Sequence, residues 1–124
     1  MMKNIIKLTL AALVSTAFIY AKAVPASAYN TITQGKGLKV VYIWAPWCGN
    51  CAAFKPVYNS VKRKFSNSVQ FYEINGDPVN DPFTTFGIKY GYPVIQIFKN
   101  GVKVDSREGG MSQEEFSALI KQYK

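Results

Sequence analysis

The chain contains no histidine, only two cysteines, and only 7 acidic residues against 15 Lys and Arg. Without an imidazole there is no Ser-His-Asp or Cys-His catalysis, no histidine metal ligand and no histidine pH switch. Two cysteines cannot build a multi-disulfide framework, and alone they cannot complete a tetrahedral zinc site. Internal repeats, low-complexity tracts and linkers are also missing. What remains is 124 residues, 48% of them apolar and 15% aromatic. That is room for one small domain with its own core, and too apolar for a disordered chain.

The first 28 residues read as a leader. Met1 to Lys7 carries Lys3 and Lys7, an apolar run follows, and Ala26-Ser27-Ala28 forms an A-x-A pattern just after Pro25. This is the three-part layout of a secretory signal, and Ala21-Lys22-Ala23 offers an alternative cleavage site. The apolar run of about 14 residues falls short of the roughly 20 that a membrane-spanning helix needs, so an uncleaved anchor is the weaker reading. No cysteine lies near either site to carry a lipid. The expectation is a signal peptide over 1–28 and one domain over 29–124, periplasmic or secreted, monomeric, with no stable membrane insertion after cleavage.

Without Lys3, Lys7 and Lys22, the remaining 12 basic residues exceed the 7 acidic ones by 5. Lys62-Arg63-Lys64 lacks interleaved aromatics and a partner cluster, so it reads as a solvated helix face and no nucleic-acid partner is expected.

Tyr29 to Gly37 is polar and reads as a loosely held lead-in. Leu38 to Trp44 is β-branched and aromatic, the pattern of a strand buried on both faces. From Cys48 to Phe65 the apolar positions Phe54, Val57, Tyr58, Val61 and Phe65 follow helical spacing, with Pro56 expected to kink the helix. Val69 to Ile74 is a second strand. Asp81 can cap a short helix with Pro82 at its first position and Gly87 past its end. Asn100-Gly101 between two apolar runs is a hairpin signal joining strands over Val94–Phe98 and Val102–Ser106. Ser112 and Glu115 suit a capping box before a last helix whose apolar face is Phe116, Leu119, Ile120 and Tyr123. The order predicts an α/β domain with helices on both faces of a sheet.

The chemistry gathers at Trp47-Cys48-Gly49-Asn50-Cys51, where the buried strand hands over to the helix. Two cysteines separated by two residues can close and open a small ring with little motion elsewhere. A helix N-terminus, with its free N–H groups and partial positive charge, favours thiolate over the free thiol of pKa about 8.5, which makes Cys48 the nucleophile and the inward Cys51 the resolving thiol. A structural staple is the bland alternative, but a four-residue ring contributes only about 2 kcal/mol by loop entropy. A metal site would need two further ligands from carboxylates or a second chain.

Trp44-Ala45-Pro46-Trp47-Cys48-Gly49-Asn50-Cys51 resembles the active-site stretch of the thioredoxin superfamily, with Pro56 five residues beyond the second cysteine. Gly91-Tyr92-Pro93 is similar to the family's cis-proline segment, and Phe98-Lys99-Asn100-Gly101 with Gly109 to its terminal hairpin. The resemblance spans residues 38 to 123. It implies a thioredoxin fold with a central mixed sheet of about four strands flanked by helices; only about ten residues precede the first strand after the leader, so the family's N-terminal strand and helix are expected to be shortened or absent. It also implies thiol–disulfide exchange with cysteines of client proteins, served by an unidentified redox partner and no cofactor or metal. Cys48 and Cys51 would form the redox-active disulfide. Trp47, Gly49, Asn50, Tyr92 and Pro93 would support the site and dock substrate.

Three departures from the family pattern stand out. The family's buried acid is replaced by Tyr42, a poor base. Its facing lysine is replaced by Phe71, which turns an ion pair into an aromatic pair, with Glu73 a nearby carboxylate. The Gly-Asn spacer, lacking the proline of cytosolic reductants and the histidine of isomerases, implies an intermediate reduction potential. The alternatives in other classes are a peptide-binding module whose disulfide never turns over, and a metal-binding CxxC protein.

Overall fold

A computed structural model describes residues 22–124. The basic start and apolar run of the leader, residues 1–21, lie outside the described residues. In chain order the elements are β1 (Lys22–Val24), α1 (Tyr29–Ile32), β2 (Leu38–Trp44), α2 (Gly49–Phe65), β3 (Gln70–Asn75), α3 (Pro82–Phe86), β4 (Val94–Lys99), β5 (Val102–Glu108) and α4 (Gln113–Tyr123).

β2 lies at the centre because five successive residues, Lys39 to Ile43, are buried, which only a strand covered on both faces can achieve. It pairs parallel with β3 and antiparallel with β4, and β5 closes the far edge as the second arm of the β4–β5 hairpin. Asn100 (φ 53°) and Gly101 (φ 83°) supply the two left-handed residues that a tight hairpin turn requires. The four predicted strands are all present. A fifth, β1, pairs parallel with β3 in the register Lys22–Tyr72 to Val24–Ile74, so the sheet order is β1-β3-β2-β4-β5. This edge strand comes from residues that composition assigns to the leader. Its three residues are too few to leave a periodic signal.

Each face of the sheet carries its own core. On one face α2 and α4 bury Phe54, Tyr58, Val61, Phe116, Leu119 and Ile120 against Val40, Tyr42 and Ile97. Helix α2 runs through Pro56, which forgoes the hydrogen bond its N–H would have made. Ser112 caps α4 by accepting from the Glu115 N–H at 3.1 Å. On the other face Tyr29, Phe86 and Ile88 cover Val41, Ile43, Ile74, Val94 and Phe98.

The lead-in is anchored rather than loose. The Tyr29 ring meets Phe86 edge-on at 4.9 Å. Its hydroxyl donates to Gln96 Oε1 on β4, whose Nε2 in turn donates to the Phe86 carbonyl at 2.6 Å. Gln96 is fully buried, and these two bonds are what make a buried amide tolerable. A single tyrosine in a polar stretch gives no periodicity, so its role shows only once β4 is in place.

Candidate functional site

Cys48 is the N-cap of α2, with extended backbone (φ −86°, ψ 109°), and its sulfur accepts from the Cys51 N–H at 3.1 Å. The two cysteines are disulfide-bonded, with Cα atoms 5.2 Å apart. Cys48 is partly exposed and Cys51 is 4% exposed, so the outer sulfur is the one another molecule can reach. Two features hold this corner. The Cys48 N–H donates to the Ala45 carbonyl at 3.1 Å, and the Gly76 N–H donates to the Trp44 carbonyl at 2.8 Å.

Around Cys48 lies a groove of about 400 Å3 lined by the chain entering α2, the start of α3 and two loops, with Trp47, Gly49, Asn50 and Tyr92 among its residues. Trp47 is 68% exposed but not free: its indole Nε1 donates to Asp77 Oδ1 at 2.6 Å, and its ring meets Tyr92 edge-on at 5.8 Å. Gly49 faces open space, and Asn50 is exposed. The Tyr92–Pro93 bond is cis. Pro93 is buried beneath the groove rather than lining it, and its carbonyl accepts from the Gly109 N–H at 2.8 Å. The structure therefore gathers Cys48, Cys51, Trp47, Gly49, Asn50, Tyr92 and Pro93 at one end of the sheet.

Three residues of this site escape a reading of the sequence. Asp77 lies in a stretch, Asn75-Gly76-Asp77-Pro78, that reads only as a chain break. Gly76 lies against the Tyr92 ring, and a Cβ there would come within 2.8 Å of Tyr92 Cζ, so a side chain would have to displace that ring. Glu108, at the end of β5, accepts from the backbone N–H groups of Lys89 (2.7 Å), Tyr90 (2.5 Å) and Gly91 (3.0 Å). All three are long-range contacts with no local signature.

Behind the disulfide a second cavity, about 210 Å3, is lined by Tyr42, Cys51, Lys55 and Glu73 among others. Burial first, and then the charge of Glu73, push the Tyr42 phenol up to about 12. It is therefore a hydrogen-bond donor at neutral pH, with its hydroxyl 3.4 Å from the Cys51 carbonyl. Tyr42 and Phe71 do not form the direct aromatic pair expected from the sequence. Tyr42 packs on Tyr58 at 4.5 Å and on Phe54 at 5.8 Å, and Tyr58 in turn meets Phe71 at 6.1 Å. A ring from α2 thus stands between the two strands' aromatics. Glu73 is the cross-strand neighbour of Tyr42 and pairs with Lys62 at 3.5 Å.

Among the described residues, no three His, Cys, Asp or Glu side chains gather to hold a metal ion, and no helix is long and apolar enough to cross a membrane.

The family profile described as Thioredoxin matches residues 21–122. Thioredoxin M4, chloroplastic, of Arabidopsis thaliana is 33% identical over 84 residues, covering 68% of this chain and 43% of that protein. Thioredoxin of Porphyra purpurea is 30% identical over 84 residues, covering 68% and 78% of the two chains. The chain spans about half the length of the chloroplastic relatives it matches. A crystal structure of Malassezia sympodialis thioredoxin superposes with a TM-score of 0.72 at 26% identity, covering 84% of this chain and 90% of that one.

Proposed function

The chain belongs to the thioredoxin family, with that family's fold and a CxxC disulfide, and from that premise we propose that it is an exported thiol–disulfide oxidoreductase acting on client proteins. The observation that carries the reading is the asymmetric exposure of the bonded pair at a helix N-cap, one sulfur reachable and the other buried. In the reducing direction the Cys48 thiolate attacks a client disulfide, forming a Cys48–client disulfide and releasing one client thiolate. Cys51, deprotonated, then attacks Cys48, closing the Cys48–Cys51 bond and releasing the second client thiolate. The oxidising direction is the reverse. Equilibration of the pair with glutathione measures which direction is favoured, and a potential between those of cytosolic reductants and isomerases is expected from the Gly-Asn spacer.

The proton of Cys51 needs an acceptor that Tyr42 cannot be. Glu73 is the carboxylate on the inner cavity, which is roomy enough for water to carry the proton from Cys51. Lys55, Lys62, Tyr42 and Tyr58 are the charged and titratable groups around it. Glu73→Gln should slow the resolving step roughly tenfold or more, in line with general-base contributions, and leave the first attack by Cys48 unchanged. Single-turnover kinetics separate the two steps. An unaltered resolving rate would remove Glu73 from the mechanism.

Export rests on the leader pattern of residues 1–28 and is tested by fractionating a bacterial host that expresses the full chain or a chain lacking residues 1–21. Recovery of the full chain only in the cytoplasm would end the export reading. Processing also touches the fold. Cleavage after Ala28 removes β1 together with Val24 and Ala26, which pack on the second core, whereas cleavage after Ala23 leaves only Val24 of that strand. A chain beginning at Tyr29 should be less stable than one beginning at Lys22 by about 2 kcal/mol, the worth of burying one such apolar side chain. Denaturant midpoints of the two chains measure this, and equal midpoints would mean that β1 adds nothing to the sheet.

A further inference from the structure

Among the described residues four large apolar side chains are strongly exposed, Trp47, Phe83, Tyr90 and Val102, and three of them line the groove at Cys48. Such clustering is not the scatter normal on a protein surface. The one charged side chain on the groove, Asp77, is occupied by the Trp47 indole. One wall, Tyr90-Gly91-Tyr92, is a loop without regular structure, and Gly91 (φ 152°) adopts backbone that other residues rarely do. What fixes this wall is Glu108, whose two carboxylate oxygens take up the successive N–H groups of residues 89 to 91.

We propose that Glu108 is a positioning residue for client selection: it pins the Tyr90–Tyr92 wall so that the groove accepts client segments carrying a bulky apolar or aromatic side chain beside the reacting cysteine. This deepens the oxidoreductase reading and rests on it.

A carboxylate suits the task. Three N–H donors converging on two oxygens is an arrangement that a neutral acceptor meets only in part, and charge-assisted bonds are about twice as strong as neutral ones. Partial burial raises the Glu108 carboxyl, but the three backbone bonds and Lys89 outweigh it, so the group ends below the ordinary carboxylate range and stays charged at neutral pH. Released from Glu108, the loop would have three N–H groups to satisfy with water and nothing to hold Tyr90 and the backbone of residues 89 to 91 at the groove, leaving only Tyr92 packed on Trp47. The reacting sulfur would be untouched, because Cys48 is held from the other side by α2 and Ala45.

The test uses two short peptides of equal charge, each with one cysteine as a glutathione mixed disulfide, flanked in one by Phe and in the other by Ser. Reduction by the full-length protein, re-reduced after each turnover by excess dithiothreitol whose direct reaction with the peptides is subtracted, is followed by chromatography. The wild-type protein should show a KM about tenfold lower for the Phe peptide, the usual worth of a modest apolar contact. In Glu108→Ala that ratio should fall to within about twofold, with kcat and the alkylation rate of Cys48 held within about twofold. Glu108→Gln keeps one carbonyl oxygen, able to serve Tyr90 and Gly91 together, and should retain most of the preference. Full discrimination in Glu108→Ala, or none in the wild-type protein, overturns the proposal. So does a fall in kcat and alkylation rate equal to the rise in KM, which would mark a structural role only. Failure of the wild-type protein to reduce either peptide would instead bring down the oxidoreductase reading on which the proposal stands.

Discussion

Replacing Cys48 with serine is expected to lower insulin disulfide reduction at least about a thousandfold, because the one thiol left at the site, Cys51, is buried out of a client's reach. Cys51→Ser should behave differently: the first attack proceeds, the resolving thiol is missing, and client proteins accumulate on Cys48. The asymmetry follows from geometry. Cys48 is partly exposed at an N-cap and receives the Cys51 N–H at 3.1 Å, whereas Cys51 is 4% exposed inside the first turn. In the reduced protein the same N–H and the helix terminus stabilise negative charge on the outer sulfur. Neither variant should unfold, since the four-residue ring contributes only about 2 kcal/mol. Turbidity of reduced insulin measures the first effect, and non-reducing electrophoresis of trapped adducts the second. Full activity in Cys48→Ser would overturn the assignment of the nucleophile. Adducts carried by Cys48→Ser, with none on Cys51→Ser, would exchange the two roles. A protein that binds peptide without turnover would show no activity to lose.

What the sequence discloses and what it hides divide by range. The cysteine pair, the N-cap at Cys48, the turn at Asn100-Gly101 and the short helix from Asp81 to Gly87 are each specified by residues within a few positions of one another. Asp81 accepts from the Thr84 N–H at 3.2 Å, and Gly87 takes the left-handed conformation (φ 68°) past the helix end. Central strands are legible for a related reason: burial on both faces forces an unbroken apolar run at Val40–Trp44. Contacts that join distant segments leave no such trace. Trp47 meets Asp77 across 30 positions and Tyr29 meets Gln96 across 67, and neither partner has any local reason to be where it is. Edge strand β1 is illegible for a third reason. Its Lys-Ala-Val sequence has no β signature of its own, and only the exposed side of β3 gives it a place. The cysteine pair is therefore local and readable, while the groove around it is assembled from afar.

Position 42 departs from the family pattern, and its substitutions divide sharply. Tyr42→Asp should destabilise the protein by about 3–5 kcal/mol, the cost typical of an uncompensated buried charge. The phenol ring fills a layer with Tyr58 and Phe54, so a short side chain leaves a void there as well. Phe71 occupies the place of the family's facing lysine and Tyr58 lies between, and Lys55, on the same cavity, is exposed to solvent. The nearest charge across the strands is Glu73, of the same sign, and its Lys62 partner is already engaged. An aspartate there would be pushed toward its neutral form by burial and by Glu73 together. Tyr42→Phe changes much less. The hydroxyl makes one long contact, 3.4 Å to the Cys51 carbonyl, and a phenol raised to about 12 exchanges no proton at neutral pH. Turnover in that variant should stay within a few-fold of wild type and the denaturation midpoint within about 1 kcal/mol, the worth of one weak hydrogen bond. Denaturant titrations and insulin reduction on both variants measure these outcomes. A large loss of activity in Tyr42→Phe with its stability intact would mean that the hydroxyl takes part in resolving the mixed disulfide. The proton would then leave Cys51 by way of β2 rather than by way of Glu73 on β3.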